Sequence, residues 1–135
     1  MGKKKLTITP PAGPEFELIA ISSVLSPSRL LLLIERSMGQ QLSLRPAAQQ
    51  LLGYAVFAST YTMPGSMALI PNAQPSGERL VRQLPKVDYL LELSGDDAPA
   101  RAAHALRALQ QADGIQAAIR VQPSSIKRTS PFWME

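Results

Sequence analysis

The sequence predicts an α+β domain in which an antiparallel sheet carries two helices on one face. Three observations predict it. Several segments alternate apolar and polar residues with the two-residue period of strands, and two longer segments repeat at the helical period. Between them lies a hairpin pattern and no third strong helix, which argues against an open doubly wound sheet.

Glu15 to Ile21 is the first strand. Phe16, Leu18 and Ala20 share one face, while Glu17, Ile19 and Ile21 share the other. Ser26 followed by Pro27 starts a helix, with a capping hydroxyl and then a ring already set for the first turn. That helix runs from Pro27 to Met38 and stops at Gly39. Leu30, Leu31, Ile34 and Met38 form its inner stripe, and Leu32 falls on the polar side. Gln41 to Arg45 is a short strand ending at Pro46. Gly53 to Thr62 is a strand rich in β-branched and aromatic residues. Met63-Pro64-Gly65-Ser66 turns the chain, and Met67 to Ile70 returns as the hairpin's second strand. Lys86 to Leu93 is a further strand, with Val87, Tyr89, Leu91 and Leu93 on one face. Asp96 or Asp97 caps a second helix over Pro99 to Ala112, whose inner stripe is Ala98, Ala102, Ala105, Leu106 and Leu109. Gly114 stops it. Ile115 to Val121 is the last strand, its apolar odd positions alternating with Gln116, Ala118, Arg120 and Gln122. The whole is a ferredoxin-like split βαβ sandwich with an added hairpin.

A chain of 135 residues suits a single domain, and 45% hydrophobic residues suffice to build a core. Residues 1–14 form a basic, proline-rich tail, residues 15–123 the domain, and residues 124–135 a C-terminal tail. The absence of cysteine excludes disulfides, thiolate catalysis and cysteine-based zinc sites, and fits the cytoplasm. No apolar run reaches the roughly 20 residues that a membrane span needs. The net charge of +4 owes three units to Lys3, Lys4 and Lys5. The body is therefore near neutral, which does not support a strongly basic nucleic-acid face.

Phe16-Glu17-Leu18-Ile19-Ala20-Ile21-Ser22-Ser23, a leucine-rich helix, Val87-Asp88-Tyr89-Leu90-Leu91, then Val121-Gln122 and Lys127 follow in order. In this the chain resembles the uncharacterised bacterial family named for its IPExxxVDY motif. Val87-Asp88-Tyr89 matches the second half of that motif. The first half is replaced by Val81, Arg82 and Gln83, so no glutamate base stands there. The resemblance implies a shared fold and no established activity.

Candidate sites are few. His104 is the single histidine, and its helix position is a solvated one. Asp88 beside Tyr89 is a candidate ligand site or, more simply, a structural carboxylate held by an ion pair or backbone hydrogen bonds. Candidate partners for it are Arg82, Lys86 and Arg120. Lys3, Lys4, Lys5, Lys127 and Arg128 are candidate phosphate contacts. Ile19, Leu32, Phe57 and Trp133 are candidate interface residues. Gly-rich phosphate loops and serine-nucleophile motifs are absent, so no catalytic residue, cofactor or metal is assigned.

The expected function is therefore a non-enzymatic interaction or assembly module, a homodimer that covers the sheet face away from the helices. An RNA-associated accessory protein using the basic termini, with weak and sequence-independent contacts, is the alternative. A small-ligand regulatory domain is a third.

Overall fold

The computed structural model describes residues 16–44, 57–59, 65–72, 86–95 and 97–122. Among these residues six strands and two helices follow one another as β1 (Phe16–Ser23), α1 (Pro27–Met38), β2 (Leu42–Leu44), β3 (Phe57–Ser59), β4 (Gly65–Pro71), β5 (Tyr89–Gly95), α2 (Ala98–Gln111) and β6 (Ile115–Val121). They build one sheet in the order β2-β3-β4-β5-β1-β6. Every neighbouring pair is antiparallel. The expected α+β class, with two helices and an antiparallel sheet, is what the chain forms.

Helix α1 begins and ends where its caps dictate. The Ser26 hydroxyl accepts from the Arg29 N–H, Pro27 occupies the first turn, and Gly39 adopts a left-handed φ of 69°. Leu30 and Ile34 are buried, with Leu31, Leu33 and Met38 packed beside them. The Glu35 carboxylate then accepts from the Leu42 N–H at 2.8 Å, which ties β2 to the helix end. Helix α2 buries Ala98, Ala102, Ala105 and Leu109. Asp97 stands at its N-cap but makes no side-chain cap bond, contrary to expectation. Asp96 lies outside the described residues.

Cross-strand register places Ile19 opposite Leu91, and Leu91 opposite Leu69. These three share one core with Leu30 and Ile34 of α1 and Ala102, Ala105 and Leu109 of α2. Both helices therefore lie on one face, the face of Glu17, Ile19 and Ile21. Small alanines on α2 let that helix approach the sheet closely.

Several boundaries differ from those the sequence predicts. β5 starts at Tyr89, since Lys86 stands in a turn and Val87 and Asp88 lie before the strand, and it continues to Gly95. Gly65 and Ser66 belong to β4, pairing with Gly95 and Ser94, instead of forming the turn. Of the strand expected over residues 53–62, only Phe57–Ser59 is described.

β6 spans the expected residues, but its faces are inverted along most of its length. Ser23 is opposite Ile115 while Ser22 is opposite Ala117, so β6 carries one extra residue at Gln116. Such a bulge breaks the two-residue alternation. Ile115 packs towards the helix-side core. Beyond the bulge, Ala117 and Ile119 sit opposite Ser22 and Ala20, on the face away from the helices. Ala118 turns in to the core instead and is buried.

Candidate functional site

The Val87-Asp88-Tyr89 segment leads into β5 between the end of β1 and the exit of β4. The Ser23 N–H donates to Asp88 Oδ2 at 2.9 Å. The Asp88 N–H donates to the Ile21 carbonyl, and the Asp88 carbonyl accepts from the Asn72 N–H, each at 2.9 Å. Asn72, fully buried, also donates from Nδ2 to the Val87 carbonyl at 3.0 Å. Ser22 Oγ donates to the Lys86 carbonyl at 3.0 Å. The Asp88 carboxylate is thus held by a backbone N–H.

This clasp explains the end of β1. Ser23, like Ile21 two residues before it, directs its N–H to the β5 side, where the ladder ends at the Ile21–Tyr89 pair, and the Asp88 carboxylate supplies the acceptor. Tyr89 follows in β5 and packs against the helix-side core. Burial raises its phenol above the ordinary value, and the neighbouring Asp88 carboxylate adds to the rise. No second carboxylate joins Asp88 among these contacts, and no cluster of three metal-ligating side chains occurs among the described residues. The arrangement orders backbone.

His104 is on the exposed side of α2, and its Nε2 lies 2.8 Å from the Ser37 carbonyl. It therefore links α2 to the last turn of α1. Arg101 donates from Nη1 to the Ser94 carbonyl and from Nη2 to Gln40 Oε1, both at 3.0 Å. Partial burial lowers its guanidinium pKa, and Asp97 opposes that shift.

Of the candidate interface residues, Ile19, Leu32 and Phe57 are described, and they do not share one open surface. Ile19 is fully buried under the helices and is a core residue, which corrects its assignment to an interface. Phe57 is packed against the same core. Leu32 is 45% exposed on α1, on the polar side that the periodicity assigns to it. Trp133, the lysines at 3–5, Lys127 and Arg128 lie outside the described residues, as does Arg82. Arg120 is paired with Glu17 across β6 and β1.

The face away from the helices also differs from expectation. Leu18, Ile70 and Leu90 on its central strands are fully buried within the single chain. Among the described residues the central part of that face leaves no open apolar surface for a partner to cover. Exposure on that face occurs instead at its margin, where Ile119 of β6 is 52% exposed.

That margin is a feature the sequence reading missed. β6 ends the sheet order, and Gln110 Nε2 donates to the Ala118 carbonyl at 3.1 Å. Ala118 is opposite Ile21, whose own carbonyl turns away to the Asp88 N–H. In an antiparallel ladder a residue directs its N–H and C=O to the same side. Ala118 and, two residues on, Arg120 therefore direct their peptide groups away from β1, to the side on which no described strand lies. The signal in sequence was the glutamine in the last turn of α2, but its target depends on the bulge.

No protein-family model, curated protein or solved structure matches the chain. No helix among the described residues is long and apolar enough to cross a membrane.

Proposed function

We propose that this chain is a non-enzymatic protein-interaction module of the cytoplasm that acts as a homodimer. One observation carries the reading. Among the described residues no strand pairs with the outer edge of β6, which bears an exposed Ile119 flanked by Ala117 and Val121. Natural sheets guard such edges with lysine, proline or inward-pointing charge. β6 holds neither lysine nor proline, and its single charge, Arg120, is matched by Glu17. An edge left open in this way suits pairing with another chain.

The fold reading is ferredoxin-like. Its support is the order β4-β5-β1-β6 with helices after β1 and β5, and β2 and β3 are then the added hairpin. The Val87-Asp88-Tyr89 block supports a place near the IPExxxVDY proteins. In that reading the block's carboxylate serves the fold.

Light scattering tests the proposal. The native chain should show twice the chain mass at micromolar concentration, and Ile119→Lys should show the chain mass with unchanged circular dichroism. A native chain that stays monomeric as its concentration is raised would overturn it.

A further inference from the structure

We infer that β6 pairs antiparallel with β6 of a second copy, with Ile119 opposite Ile119 on the two-fold axis, an assignment that rests on the interaction-module reading. The register follows from the chemistry of the edge. Ala118 and Arg120 present their peptide groups outward, whereas Ile119 directs its own to β1. A two-fold axis at Ile119 sets Ala118 of each copy opposite Arg120 of the other, and both of those pairs exchange hydrogen bonds. Ile119 then meets its equivalent in the closely spaced, non-hydrogen-bonded type of pair, with Cα atoms about 4.5 Å apart.

The side chains agree with that register. Ala117 of one copy comes opposite Val121 of the other, on the face of Ile119, so the face away from the helices gains a continuous apolar strip. Arg120 comes opposite alanine. Moving the axis to Arg120 would set two guanidiniums against each other, which is unfavourable. The resulting sheet would run unbroken through both copies.

Gln110 competes for this edge. Its amide holds the Ala118 carbonyl, the acceptor that the Arg120 N–H of a second copy needs. Pairing must displace Gln110, so that side chain weakens the dimer and limits further edge pairing.

The native chain has no cysteine, so a single introduced thiol reports the register directly. Under mild oxidation Ile119→Cys should become mostly disulfide-linked dimer, because a close antiparallel pair falls within the Cα range of about 4.4–6.8 Å for that bond. Gln116→Cys should stay monomeric on a denaturing gel, because its equivalents lie far apart in this register. Gln110→Ala should shift the midpoint of dimerisation to lower concentration. Equal cross-linking of both cysteine variants, or none at Ile119→Cys while the native chain scatters as a dimer, would overturn the register and leave the interaction reading standing. A native chain that is monomeric by light scattering overturns both.

Discussion

The Ser23 N–H donates to Asp88 Oδ2 at 2.9 Å across 65 residues of sequence. That bond joins the irregular end of β1 to the entry of β5, and the Asp88 peptide adds its own bonds to Ile21 and Asn72. One residue thereby holds three strand ends in register.

Replacing Asp88 separates its side-chain role from its backbone role. Asp88→Ala leaves the partly buried Ser23 N–H without its acceptor and should cost about 1–3 kcal/mol. Asp88→Asn keeps an acceptor oxygen at the same position and should cost less. Urea unfolding of both variants checks the order, which a purely packing role for Asp88 would not produce.

Tyr89 links stability to alkaline pH. Its folded pKa is raised by burial and by Asp88, so the fold favours the neutral phenol. That contribution is fully present below the unfolded value, near 10, and is lost as the pH rises from there through the folded value. Thermal melts of the native chain should fall in midpoint above about pH 10, and Tyr89→Phe should fall less steeply over the same window.

Two glycines with positive φ should respond differently to alanine. Gly39 has a φ of 69° and no atom within 4 Å of an added Cβ. Gly39→Ala should cost only the left-handed strain, about 1–2 kcal/mol. Gly114 has a φ of 89°, and an added Cβ would stand 2.5 Å from Leu25 Cδ2 and 2.7 Å from its Cγ. Gly114→Ala should cost more, since Leu25 must move as well. Chemical denaturation of the pair measures the difference.

The helix stripe on α1 gives a further contrast. Leu30→Ala should cost about 2–5 kcal/mol, the range for a fully buried leucine. Leu32→Gln should change stability by less than about 0.5 kcal/mol, since that leucine lies on the solvent side. Midpoints of denaturation for the two variants check this.

How much of this was legible in the sequence varied with the range of the interaction. Helix α1 was readable from Ser26 to Gly39 because its caps and stripe are local. The split of Leu30 and Ile34 from Leu32 follows from the 3.6-residue period alone. β6 was readable in extent but not in facing, because its bulge depends on the register with β1. The same gap hid the exposed Ile119 and the Gln110 contact. Asn72 carries no signal of its own in the sequence, and the approach of Val87 and Asp88 makes it a buried donor. Ile19 illustrates the converse error. Apolar residues on both faces of β1 suggested an uncovered surface, but both faces of the central strands are buried within one chain.

Amide hydrogen exchange tests the edge pairing of β6 most directly. The Arg120 N–H points away from β1, to the side on which no described strand lies, whereas the Ile119 N–H points to β1. The account predicts that the Arg120 amide is protected at high protein concentration and exchanges freely on dilution, while Ile119 stays protected throughout. An Arg120 amide whose exchange does not change with concentration would contradict it.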